Sequence, residues 1–203
     1  RDYLKAKEWF EKAAAQGVAS AQFNLGSMYK YGHGVKQDYL KAKEWFEKAA
    51  AQGYLDAQYN LGVMYSNGKG VKQDYKKAFE WYEKAAKQGY AEAQYLLGGK
   101  YDNGQGVKQD YKKAFEWYEK AATQGHAKAQ YNLGVMYERG QGVKQDYKTA
   151  KEWYEKAANQ GFAKAQHNLG VMYERGQGVK QDYKKAFEWY EKSAIQGIAN
   201  AQH

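Results

Sequence analysis

The chain has 203 residues, no cysteine, no proline and a formal charge of +9. Without cysteine there are no disulfides or thiolate metal sites, and no run reaches the roughly 18 apolar residues that a membrane helix requires. The basic residues are spread evenly, with no basic block and no RNA-binding motif, so nucleic acid is disfavoured as a partner.

One unit is written six times at a period of 36 residues, without insertion or deletion. Asp-Tyr recurs at Asp2, Asp38, Asp74, Asp110, Asp146 and Asp182, and all the tryptophans fall in one column, from Trp9 and Trp45 to Trp189. A fixed period of this length points to a repeat architecture. The units are 2–37, 38–73, 74–109, 110–145, 146–181 and a partial 182–203, and they are expected to form one solenoid over 1–203. Both ends fall inside the pattern, so a longer array is expected.

In the second unit Tyr39, Ala42, Phe46, Ala49 and Ala50 make the stripe of an amphipathic helix, widened by Trp45. Asp38 stands where an N-cap carboxylate accepts from the first free backbone N–H groups. Glu44 and Lys48 have the spacing of a helix-face ion pair, repeated in every unit. Gln52-Gly53 ends the helix, because glycine adopts the left-handed conformation without a Cβ clash. Ala57, Leu61, Met64 and Tyr65 then form the stripe of a second helix, with Gly62 as a point of close approach. Gly68-Lys69-Gly70 breaks it, and Val71 is expected to tuck into the core. The spacing predicts helices over 2–16 and 20–31 in the first unit and at the same places every 36 residues, including a break at Gln196-Gly197. A hairpin with apolar surface on both flanks buries it by stacking on its neighbours, which predicts an all-α solenoid.

Little here suggests catalysis. His33, His126, His167 and His203 form no cluster with metal-ligand spacing. Gly-x-Gly loops such as Gly140-Gln141-Gly142 lack the third glycine, the Lys-Ser/Thr and the preceding strand of a phosphate loop, and read as turns. The few serines lie outside nucleophile motifs. No metal, no cofactor and no enzyme activity is expected.

The joint pattern LG-x-x-Y, G-x-G-V and KA-x-x-W, complete over Ala129 to Ala158, resembles the Sel-1-like repeat, a relative of the tetratricopeptide repeat. The resemblance implies a right-handed α-solenoid superhelix of helix-turn-helix repeats that acts as a non-catalytic adaptor and binds a protein or an extended peptide. It also implies bacterial envelope, host-interaction or toxin-neutralising roles, with periplasm or secretion favoured over cytoplasm, and a monomer is expected. A cysteine-rich branch of the family binds or hydrolyses β-lactams; the missing cysteines weaken that alternative. An engineered or consensus scaffold without a natural ligand is a further alternative.

By the tetratricopeptide analogy the second helix of each unit lines the concave face. An aromatic stripe of Phe23, Tyr59, Tyr95, Tyr131 and then His167 would follow the groove, beside Asn24, Asn60, Asn132 and Asn168, a ladder broken by Leu96. Val63 and Val135 lie on the same face, and the adjacent charge changes sign from Asp56 and Glu92 to Lys128 and Lys164. Amide side chains suit an extended peptide backbone. Packing between successive helices would repeat the same columns, so both readings stand at this level. Leu96, Gly99 and Lys100 depart from the Asn, Val and Met of other copies and mark a local pocket or a weakened layer.

Overall fold

Each helix in the chain opens on a tyrosine set by an aspartate cap or follows a tight reversal closed by glycine, and the spacing is kept throughout. A computed structural model describes residues 2–201, with 197–201 described by backbone alone. Among the described residues there are eleven helices and no strand. They are α1 (Tyr3–Ala15), α2 (Ala19–Tyr31), α3 (Tyr39–Ala51), α4 (Leu55–Asn67), α5 (Tyr75–Lys87), α6 (Ala91–Asn103), α7 (Tyr111–Thr123), α8 (Ala127–Arg139), α9 (Tyr147–Asn159), α10 (Ala163–Arg175) and α11 (Tyr183–Ala201). None of them is long and apolar enough to cross a membrane.

The helices divide into two units. The first holds Arg1–Ala93 with Gly104–Lys108, and the second holds Gln94–Asn103 with Gln109–His203. In the first, α2 packs on α1 and more extensively on α3, and α4 packs likewise on α3 and α5. In the second, α8 packs on α7 and α9, and α10 on α9 and α11.

The local signals act as the sequence requires. Asp38 Oδ1 accepts from the backbone N–H of Leu40 and Lys41, and Asp146, Asp110 and Asp74 cap in the same way. Gly53 takes φ +82°, its N–H bonds Ala50 O, and Tyr54 N–H bonds Ala49 O, the pair of bonds of a Schellman reversal. The stripes are buried as expected: Ala42, Phe46, Ala49, Ala50, Ala57, Leu61 and Met64 form one cluster, with Val71 packed against it.

Stacking of consecutive hairpins rests on a glycine column. A Cβ at Gly62 would lie 2.6 Å from the ring of Tyr82, and a Cβ at Gly134 would lie 2.5 Å from the ring of Tyr154. The glycines let a ring of the following helix lie directly on the backbone. The second glycine of each loop serves similarly: at Gly70, with φ +71°, a Cβ would be 2.9 Å from the carbonyl of Tyr39.

Two expectations are corrected. The lysine paired with Glu44 by spacing turns to the indole instead: Lys48 Nζ stands 4.0 Å over Trp45 and Lys156 Nζ 3.8 Å over Trp153. A half-buried indole one turn away offers its negative face, whereas Glu44 remains solvated. Ion pairs form in the other order, Lys43 with Glu47 and Lys151 with Glu155. The break predicted at Gly197 is also absent, since α11 runs on to Ala201. His203 lies outside the described residues.

Lys100 occupies the place of Met28, Met64, Met136 and Met172, and it is only 7% exposed. Burial holds its pKa below the usual 10.5. The unfolded chain therefore keeps this proton at pH values where the folded chain releases it, so stability from this site rises with pH between the lowered value and 10.5. Lys100→Met is expected to raise the stability measured by urea unfolding at pH 7 by about 1–3 kcal/mol. That gain is expected to shrink as pH approaches 10.5.

Candidate functional site

The face that carries the predicted columns is built from the second helix of each hairpin, and its rings are shared between packing and solvent. In the first unit Phe23 lies 5.6 Å from Phe46 and 5.2 Å from Tyr54, between ring centroids. Tyr59 meets Tyr82 at 6.2 Å and Tyr90 edge-on at 5.2 Å. In the second unit Tyr95 stacks on His126 at 4.7 Å, Tyr131 meets Tyr154 and Phe162, and His167 meets Tyr190 at 5.3 Å. Each ring thus rests on two columns of the next hairpin, or one in the case of His167. Phe23, Tyr59, Tyr95 and Tyr131 stay half-buried and His167 is exposed. Burial pushes the Tyr59 and Tyr131 hydroxyls above their usual pKa.

Asn60 is tied to its neighbours. Asn60 donates to Asp56 O at 2.8 Å and accepts from Lys30 Nζ at 2.6 Å. Asn132 lines a hollow with Tyr118 and Asn168 one with Tyr131, where each amide favours the ionised form of the nearby hydroxyl. Asn24, Val63, Glu92, Leu96 and Val135 are half-buried on the same helices, while Lys128 and Lys164 are exposed. In the second unit the structure brings Tyr131, Lys164, His167 and Asn168 together with Ala163 and Ser193 around a hollow of about 370 Å³.

Two polar columns escaped the sequence reading. One is a run of buried glutamines: Gln58 Nε2 donates to Ala50 O, and its Oε1 accepts from Gln88 at 2.7 Å. Gln130 does the same with Ala122 O and Gln160. The other joins the end of each second helix to the tyrosine sixteen residues on. Tyr118 donates to Asp102 at 3.4 Å, Tyr154 to Glu138, and Tyr190 to Glu174 at 2.8 Å. Tyr82 bonds Ser66. The copies carried a signal for this, because Lys30, which cannot accept, stands before Phe46, which has no hydroxyl.

Antiparallel helix pairs stacked through a glycine column, with a polar and aromatic face on every second helix, define an α-solenoid of the interaction-scaffold class. The Sel1 repeat model matches residues 1–18, 19–54, 55–90, 91–126, 127–162 and 163–198, so the chain belongs to the Sel1 repeat family. Proteins of this family are in general non-catalytic protein-interaction scaffolds. Among solved structures, c5321, a protective antigen present in uropathogenic Escherichia coli strains, is 44% identical with a TM-score of 0.94. That match covers 97% of this chain and 42% of c5321, so the chain spans less than half of that protein. A Sel1 repeat protein from Oxalobacter formigenes is 36% identical with a TM-score of 0.88, over 95% of this chain and 82% of that one. The immunity protein Pa5087 from Pseudomonas aeruginosa is 26% identical with a TM-score of 0.55, over 97% of this chain and 75% of that one. Among curated proteins none matches the sequence.

The acid–tyrosine column predicts a coupled effect. Tyr154→Phe leaves the Glu138 carboxylate without its hydroxyl donor and is expected to cost about 1–3 kcal/mol in urea unfolding. Adding Glu138→Lys reproduces the Lys30/Phe46 combination between the first and second hairpins and is expected to restore most of that loss.

Proposed function

We propose that this protein is a non-catalytic adaptor whose second-helix face binds an extended segment of another protein. The observation that carries this reading is the hollow in the second unit, where a ring floor (Tyr131), an amide (Asn168), an imidazole (His167) and an exposed ammonium (Lys164) converge. A ring floor anchors an apolar side chain, the amide and imidazole exchange hydrogen bonds with a backbone, and the lysine fixes polarity. Lys128 stands one repeat earlier with the same charge and exposure, so the bound segment is acidic along this stretch.

Bacterial neighbours support a bacterial role, and two bear on the kind of role. One is an antigen of a pathogen and one is an immunity protein. Both suit an adaptor at the envelope or a neutraliser of a toxin, in which a rigid face covers a segment of a partner.

A photo-reactive amino acid placed at His167, compared with one at Glu152 on the exposed side of α9, tests the reading in extracts of the source cell. A discrete adduct is expected from position 167, none from position 152, and about a tenfold reduction in the 167 adduct when Lys128 and Lys164 are both changed to Glu. Equal labelling from both positions, or an adduct indifferent to the charge reversal, would remove the face from consideration.

A further inference from the structure

The third copy differs from the fourth and fifth at two positions that bear on one spot. Gly99 stands where Val63, Val135 and Val171 stand, and a Cβ there would lie 3.6 Å from the Tyr118 hydroxyl. Asp102 stands where Glu138 and Glu174 stand. The glutamate at 174 reaches its tyrosine at 2.8 Å, whereas Asp102, one methylene shorter, is met by Tyr118 only at 3.4 Å. Beside this carboxylate lies a polar cavity of about 250 Å³, lined by Asp102, Tyr118, Asn132, Val135, Arg139 and Gln141 among others.

The groups around it are of opposite kinds. The carboxylate of Asp102 only accepts, the guanidinium of Arg139 only donates, and the amides of Asn132 and Gln141 do both. Burial pushes the Asp102 carboxyl up, while the Tyr118 hydroxyl and the Arg139 charge favour its ionised form. A cation entering here meets Arg139, an anion meets Asp102, and a hydrocarbon leaves both without a partner. A primary carboxamide fits both at once, because its N–H₂ donates to the carboxylate while its C=O accepts from the guanidinium. The space equals that of roughly eight liquid waters, enough for the end of a glutamine side chain.

We propose that this cavity is a carboxamide pocket, taking the Gln or Asn side chain of the segment bound on this face. The assignment of a protein segment as its source rests on the adaptor reading above; the pocket chemistry does not.

Titration of the full chain with N-acetyl-glutamine N-methylamide, followed by ¹H–¹⁵N NMR, tests it. Saturable shifts at the side-chain amides of Asn132 and Gln141 are expected at millimolar probe, with the matching Glu and Leu probes about tenfold weaker. Gly99→Val/Asp102→Glu, which installs the residues of the fourth copy without changing charge, is expected to weaken the Gln probe about tenfold and to leave the helical circular dichroism intact. Equal or tighter binding of the Glu probe, undiminished binding by the double variant, or no saturable shift with the Gln probe would overturn the pocket. Free glutamine binding more tightly than the capped probe would overturn the peptide source. Because the probes are single residues, failure here alongside a retained adduct at position 167 removes the pocket and leaves the docking face standing.

Discussion

A ring lying flat on a glycine is the contact on which the stacking of these repeats depends. At Gly26, Gly62, Gly98, Gly134 and Gly170 the backbone of a second helix meets an aromatic ring of the following helix, and any Cβ would fall inside van der Waals distance of that ring. Glycine inside a helix costs about 1 kcal/mol relative to alanine, so the column opposes local helix preference. What offsets that cost is the close approach of two helices and the burial of a large ring, with Phe46 and Tyr154 reaching zero exposure. The other polar columns sit around this seam. The acid–tyrosine bonds fix the outer edge of the same rings, and the buried glutamines tie the carbonyls at the end of one helix to the hairpin that follows.

The helices were legible because every signal was local and repeated. Asp38, Gly53, the alanine stripe and Gly68 each act within a few residues of themselves, and their dihedral angles and hydrogen bonds follow from residue type. Where the reading departed, a second element decided the outcome. Lys48 had a carboxylate at one spacing and an indole at another, and spacing alone does not rank a half-buried ring against a solvated acid.

The columns of the proposed face were legible in the sequence and their contacts were not. Tyr59 and Tyr131 face both ways: one part of each ring lies on the next hairpin and the rest is open, which a periodic pattern cannot divide. Asn60 is already engaged, donating to Asp56 O and accepting from Lys30 Nζ, so a repeated amide is not by itself a free one. The columns on which the proposed pocket rests were hidden because they are variable. Asp102 stands in a column that also holds Lys30, Ser66 and Glu138, and only the 3.4 Å reach of Tyr118 and the open space beside it give that variation a consequence. A scaffold made of near-identical units acquires specificity through such departures, since identical units can offer a partner only a uniform track.

The most direct test of the seam is equilibrium urea unfolding of Gly134→Ala beside Gly125→Ala. Gly125 takes φ +88° with nothing within 4 Å of where a Cβ would stand, so alanine there meets only the left-handed backbone, at about 1 kcal/mol. At Gly134 alanine improves helix propensity by about 1 kcal/mol but drives a Cβ into Tyr154, and overpacking of this kind costs about 1–3 kcal/mol net. The account predicts that Gly134→Ala is the more destabilised variant, with a lower midpoint than the parent chain. A midpoint equal to or above the parent would show that the ring yields without loss, and that the glycine column is not what holds successive hairpins together.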